Sequence, residues 1–231
     1  KASKTADAVA IFTEDGEHIR FGSIFNEALV LAASMVDLGL RAGDVISFQL
    51  PNWREAVAVD IAAVGNEVMY RKELTEEQLI AYIKRFKEAV PDIPTGYVDA
   101  YYEFSSRPKI TDACDVILAN CYPYWEGCHI DYSLIYMKQM YHHAKDVGQG
   151  KKVIITETGW PSQGSSLGAA HPSYENALQY YINAQLWAKE DDIEIFYFSA
   201  FDEPWKVGAE GDVGAYWGLW DKDEKLKFKP Q

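Results

Sequence analysis

Cysteine is scarce in this chain. Cys114, Cys121 and Cys128 stand seven apart, a spacing that matches no zinc-ligand pattern, and an odd number cannot all pair within one chain. Unpaired or partly buried thiols are the expectation. No metal or other cofactor is expected either, because the histidines, the adjacent His142 and His143 included, show no ligand spacing. Long apolar runs are also missing. No stretch of about 18 apolar residues is available to cross a membrane, and the opening Lys1-Ala-Ser-Lys4 lacks the apolar core of a signal peptide. Basic residues are outnumbered, 22 Lys plus Arg against 35 Asp plus Glu, for a formal charge of -13. Residues 1–63 carry 5 basic and 9 acidic side chains and residues 64–231 carry 17 and 26, so neither part offers a basic arm to nucleic acid or to an anionic membrane. A neutral polymer suits this balance better.

What the chain does have, from residue 64 onward, is an alternation of strand-like apolar runs with amphipathic helical runs, the pattern of a parallel sheet covered by helices. The strand candidates are Ala63–Asn66, Pro94–Val98, Asp115–Asn120, Lys152–Thr156 and Glu194–Ser199. Thr75-Glu-Glu-Gln78 reads as a capping box, and Leu79, Ile80, Ile83, Phe86 and Val90 then keep helical spacing until Pro91. Two more helices are expected over Asp131–Val147, closed by Gly148, and over Ser173–Lys189, entered from Pro172.

Residues 1–63 differ in character. Ala8–Phe12 and His18–Phe21 read as short strands joined through Asp15-Gly16, an antiparallel hairpin. A helix over about Ser23–Leu38, a buried strand over Asp44–Leu50 and a helix from Pro51-Asn52 to about Ala62 follow. No turn separates that last helix from the next strand, so the chain reads as two segments, 1–63 and 64–231, spliced within one structural domain.

Two glutamates sit where strand-like runs break into loops: Glu67 in Ala63-Val-Gly-Asn-Glu67 and Glu157 in Val153-Ile-Ile-Thr-Glu157. A carboxylate at the carboxyl end of a parallel strand faces the cleft where such folds do chemistry. A pair of them suits glycoside hydrolysis, which needs one protonated acid and one ionised partner at the same bond. On local pattern alone Glu67 reads as a strand-end carboxylate paired with Arg71 or Lys72 as readily as an acid, surface ion pairs being common, while its neighbour Asn66 is placed to hydrogen-bond a sugar hydroxyl or to orient a nucleophile. After Glu157, Gly159-Trp160-Pro161 turns sharply and offers the Trp160 indole as a platform for a sugar ring. Tyr122, in Asn120-Cys-Tyr122-Pro-Tyr124-Trp125, either steadies a carboxylate or is a core phenol with a backbone partner. In Phe201-Asp-Glu203-Pro-Trp-Lys206, Glu203 and Lys206 either bind sugar hydroxyls or pair with each other. Trp187 belongs to the core by helical spacing, whereas Trp125, Trp205, Trp217 and Trp220 fall in loops, the last two also suited to anchoring the C-terminal segment.

Taken in order, Val64-Gly-Asn-Glu67-Val, Asn120-x-Tyr-Pro, Thr156-Glu-Thr-Gly-Trp-Pro-Ser162 and Phe201-Asp-Glu-Pro-Trp-Lys206 resemble glycoside hydrolase family 17 over about residues 64–229. The resemblance implies a (β/α)8 TIM-barrel-like fold and a retaining enzyme acting on β-1,3-glucan, as endo-glucanase or glucanosyltransferase. It also implies Glu67 as acid/base at the fourth strand and Glu157 as nucleophile at the seventh. Glu203 and Lys206 then support the site after the eighth, and the work is done outside the cell, in the wall or the periplasm. Residues 8–52, through Ile19-Arg-Phe-Gly-Ser23, Leu38-Gly-Leu-Arg-Ala-Gly-Asp44 and Phe48-Gln-Leu-Pro-Asn52, resemble instead the start of an adenylate-forming acyl-CoA synthetase, without its phosphate loop or lysine domain. Together the two imply a chimera, with the ligase-like segment in place of the first barrel units. A hairpin places one strand antiparallel, so the expected barrel is a hybrid or imperfectly closed, with the Val45–Leu50 strand beside the Glu67 strand. An open seam would expose apolar surface for self-association to cover, and lost sugar-binding loops would favour the alternative of an inactive or glucan-binding scaffold.

Overall fold

The computed structural model describes residues 9–12, 18–20, 62–91, 93–208 and 210–228. Strands β1 (Val9–Phe12) and β2 (His18–Arg20) pair antiparallel, as the hairpin reading expects. The expected Val45–Leu50 strand and the helices on either side of it lie outside the described residues. From residue 62 the order is β3 (Ala62–Asn66), α1 (Glu76–Ala89), β4 (Thr95–Ala100), α2 (Glu103–Ser106), α3 (Pro108–Ala113), β5 (Val116–Asn120), α4 (Ile130–Val147), β6 (Lys152–Thr158), α5 (Tyr174–Glu190) and β7 (Ile195–Tyr197).

The five strands β3 to β7 form one parallel sheet in strictly sequential order. A doubly wound sheet reverses its strand order at a switch point, whereas a barrel does not. This sheet is therefore an arc of a (β/α) barrel, incompletely closed among the described residues.

Local sequence explains the elements. In α1 the Thr75 hydroxyl accepts from the Gln78 N–H at 3.3 Å and the Gln78 side chain accepts from the Thr75 N–H at 2.9 Å, which satisfies two orphan donors of the first turn. Buried Leu79 and Ile83 turn this helix onto the sheet. Ser173 caps α5 through the Asn176 N–H, and α4 begins one residue earlier than its periodicity suggests, with the His129 ring accepting from Asp131 N–H. Short helices α2 and α3 were not anticipated. Pro108 at the start of α3 disfavours helical backbone at Arg107, and that residue separates the two.

Alternation along each strand divides the core into two layers. Ile117 and Ala119 of β5 and Val153 and Ile155 of β6 face the helices, packed with Leu79, Ile83, Met137 and Trp187. Ala63, Val98, Val116, Leu118 and Ile154 face the other way and fill the barrel interior. Gly96 belongs to that interior, where an added Cβ would lie 2.8 Å from Leu118. β5 is buried along its whole length, as a central barrel stave should be.

Register irregularities cluster at the carboxyl ends of the strands. β3 carries one extra residue against β4 between Ala63 and Asn66, at Gly65 with φ +84°, where only glycine is at ease. β6 carries one against β5, so that Ala119 pairs with Ile155 but Asn120 pairs with Glu157. Strict alternation would send Glu157 toward the helices with Val153 and Ile155. The extra residue at Thr156 reverses that parity and turns Glu157 into the barrel mouth.

Candidate active site

Glu67 and Glu157 line one cavity of about 500 Å³ at the carboxyl ends of the strands, together with Asn66, Asn120, Tyr122, Trp125, Phe198, Lys206 and Trp217. Glu67 leaves β3 with φ +53°, a left-handed backbone that a non-glycine residue adopts at a cost of about 1–3 kcal/mol. Its N–H is held by Val98 O at 2.8 Å and its carbonyl by the Arg71 N–H at 2.8 Å. The Glu67 carboxylate accepts from Asn120 Nδ2 at 2.9 Å and lies 3.6 Å from the Arg71 guanidinium. Both readings of Glu67 are thus realised: it faces the cleft and it has an ion-pair partner on its own loop. Arg71 is shared, being bidentate to Glu73 and donating to Asn66 O at 2.6 Å.

Asn120 connects the two sides of the cleft. Its Oδ1 accepts from Thr156 Oγ1 at 2.8 Å, which fixes the amide so that Nδ2 points at Glu67. Its backbone neighbour across the sheet is Glu157. Tyr122 donates its phenol to Glu157 Oε2 at 2.9 Å, and its ring is set edge-on against Trp217 and Phe198. Burial and the Glu157 charge hold the phenol well above its ordinary pKa, so it stays a donor. Of the two readings for Tyr122, the carboxylate partner is the one present.

Burial pushes the Glu157 carboxyl up to about 7, and the charges of Glu67 and Glu210 add to the rise. The Tyr122 hydrogen bond and Lys206 oppose it. Lys206 reaches the cavity and sits 4.2 Å over the Phe198 ring, while its ammonium pairs with Glu203 at 2.7 Å. Glu203 and Lys206 therefore adopt the mutual pairing, with Lys206 of the two in the cavity wall. Asn66 also lines the cavity, and its Oδ1 is buried without a partner.

Trp160 corrects an expectation. It is 1% exposed, wedged edge-on against Tyr124 and tilted against Tyr180, with Nε1 donating to His171 O at 3.1 Å. A core indole cannot serve as an open platform. Trp125, 41% exposed, and Trp217, buried with an unpartnered Nε1, are the tryptophans that line the cavity. Trp205 is exposed away from it, and Trp187 is in the core as its spacing indicates. Glu126, Glu210, Tyr70, Tyr101 and Tyr102 line the cavity without any local sequence signal. All three cysteines are free thiols, Cys114 and Cys121 buried. Among the described residues no cluster of His, Cys, Asp and Glu is arranged to hold a metal ion, and no helix is long and apolar enough to cross a membrane.

Comparison with known proteins gives the family and the fold. Residues 29–218 match the BtgE/BtgC glycoside hydrolase domain. Glucan 1,3-beta-glucosidase BGL2 of Candida albicans is 30% identical over 223 residues, covering 84% of this chain and 72% of its own length. The crystal structure of the family 17 β-1,3-glucanosyltransferase from Rhizomucor miehei superposes with a TM-score of 0.70 at 31% identity, over 89% of this chain and 70% of that one. An active-site mutant of the same protein in complex with laminaritriose does so with a TM-score of 0.70 at 32% identity and the same coverage. The family match begins at residue 29 and runs across positions 62–64, so a ligase-like fragment and a chimeric join there find no support in it.

Proposed function

We propose that this chain, which belongs to the BtgE/BtgC glycoside hydrolase domain family, cleaves or transfers β-1,3-glucan chains by double displacement. The ionised Glu157 attacks the anomeric carbon while Glu67 gives its proton to the departing glycosidic oxygen. The Glu67 carboxylate then takes a proton from water, or from the hydroxyl of a second glucan chain, as that oxygen displaces Glu157 from the glycosyl ester. The observation that carries this reading is the pair of donors aimed at the carboxylates: Tyr122 on Glu157 and Asn120 on Glu67, in one cavity. A phenol that stays protonated steadies the negative charge of the nucleophile, and its hydrogen bond weakens as that charge is consumed in the glycosyl ester. Asn66 Oδ1 and the Trp217 Nε1 are free to meet sugar hydroxyls. The activities for which the relatives are named, glucosidase and glucanosyltransferase, supply the substrate class. Because β-1,3-glucan is a wall polysaccharide, the reading places the protein's work outside the cell or in the wall.

Laminarin is the test substrate, with shortened and elongated products resolved by chromatography. Shortened products alone mark a hydrolase, elongated ones a transferase, and binding without either overturns the catalytic reading. Glu67→Ala should reduce turnover of laminarin by about 10²–10⁴-fold.

Roles are separable by pH. With Glu157 as nucleophile, kcat/KM rises as pH passes about 7, where the free carboxyl ionises. Tyr122→Phe removes a hydrogen bond that favours the charged form, so the rising limb should move to higher pH. A falling limb near 7 would exchange the roles, making Glu157 the acid and the Arg71-paired Glu67 the nucleophile.

A further inference from the structure

Directly after Glu67 the chain makes a tight turn before entering α1, closed by Arg71 N–H to Glu67 O, Lys72 N–H to Met69 O and Glu73 N–H to Val68 O at 2.8–3.1 Å. The turn is also held from the neighbouring strand. The Met69 N–H donates to Tyr97 Oη at 2.9 Å and the Tyr70 N–H to Asp99 Oδ2 at 3.3 Å. Tyr97 in turn donates to Asp99 Oδ2, and Asp99 Oδ1 accepts from the Ala100 N–H at 2.8 Å. Asp99 is 0% and Tyr97 1% exposed, in the apolar layer between sheet and helices with Leu79, Ile83 and Ile117. A buried carboxyl in an otherwise apolar layer is costly to keep unless it does something there. What it does here is hold the Tyr70 N–H of the Glu67 turn directly and the Tyr97 hydroxyl, which in turn accepts from the Met69 N–H. Neither residue lines the cavity.

We propose that Tyr97 and Asp99 are positioning residues for proton transfer, a latch beneath the turn that fixes the Glu67 carboxyl against the glycosidic oxygen. The inference rests on the reading of Glu67 as acid/base. It adds a pair of side chains on β4, remote from the sugar, on which that step depends.

The experiment compares kcat/KM, which reports the first bond-breaking step, on two substrates. One is a laminari-oligosaccharide, whose leaving alcohol needs a proton. The other is a dinitrophenyl β-glycoside, whose phenolate leaves without one. Tyr97→Phe keeps the ring and deletes both hydrogen bonds. Expected is a loss of about 10–100-fold on the oligosaccharide with KM little changed, and a loss under about threefold on the aryl glycoside. Equal losses on both substrates, or no loss on either, overturn the latch. Glu67→Ala runs in parallel: if it too loses equally on both, the acid/base assignment itself has failed, whatever Tyr97→Phe does. Should Tyr97→Phe not show a cooperative melting transition, Asp99→Leu, which removes the acceptor for the Tyr70 N–H and puts an apolar side chain into this apolar layer, carries the same comparison with the same criteria.

Discussion

Replacing Glu157 with glutamine will cost the protein its turnover and make it harder to unfold. As the proposed nucleophile, Glu157 forms the covalent bond on which both half-reactions depend, and its loss should lower kcat on laminarin by about 10⁴-fold or more. The stability gain follows from the same burial. Folding raises this carboxyl from an ordinary 4.5 to about 7. A raised acid binds its proton more tightly in the folded state, so the folded protein is favoured at low pH and loses that advantage as pH climbs from 4.5 to about 7. Above about 7 the whole cost of a buried charge is present, about 3 kcal/mol for a rise of this size. Glutamine carries no charge to bury. The variant should therefore melt higher than the parent at pH 8 and alongside it at pH 4. Parent-like release of reducing sugar would remove Glu157 from the mechanism, and coincident melting at pH 8 would show that its charge is well accommodated.

A comparable effect on stability alone is expected at Lys227. Its side chain is 2% exposed, and its ammonium contacts Asp202 Oδ1 at 2.5 Å and Ser162 Oγ at 2.8 Å. Asp202, 8% exposed, also accepts from the Gly218 N–H at 3.0 Å. Lys227→Met leaves the Asp202 carboxylate buried without its counter-charge, which should cost about 3–5 kcal/mol. Chemical denaturation checks this through a lowered midpoint at unchanged slope. Adding Asp202→Asn should return part of the loss, because a neutral amide is less costly to bury than a lone carboxylate. A single-variant loss below about 1 kcal/mol would mean that water reaches the pair.

The five strands, the three long helices and the Glu157 loop were legible because each is written locally. Apolar runs, the Thr75/Gln78 capping box and glycines at the ends are properties of neighbouring residues. Trp160 was misread for the converse reason. Gly159-Trp160-Pro161 looks like an open loop, and only the packing of Tyr124 and Tyr180, 36 and 20 residues away in sequence, closes over the indole. Asp202 shows the same limit. It sits inside a cluster that reads as a sugar-binding rim, yet its partner is a lysine at the end of the described chain, and no periodicity links them. Glu210 and Glu126 enter the cavity wall from loops after different strands, so their convergence exists only once the strands are side by side. The Tyr97–Asp99 pair was passed over because alternation in β4 marks both positions as core, where a carboxyl looks out of place. The hairpin was read from its turn dipeptide, and the segments between it and β3 lie outside the described residues.

The acidic lining of the cavity has an outcome for which glycans the protein can tell apart. Glu67, Glu126, Glu157 and Glu210 face the same space as Arg71 and Lys206, and each of those cations already has an acidic companion, Glu73 for one and Glu203 for the other. A uronate or sulfate ester brought into this groove meets a field of its own sign with no uncommitted positive group to offset it. If the cavity binds glucan as proposed, an anionic chain should bind more weakly than a neutral one of the same linkage. Raising ionic strength would narrow that difference by screening the former while leaving the latter untouched.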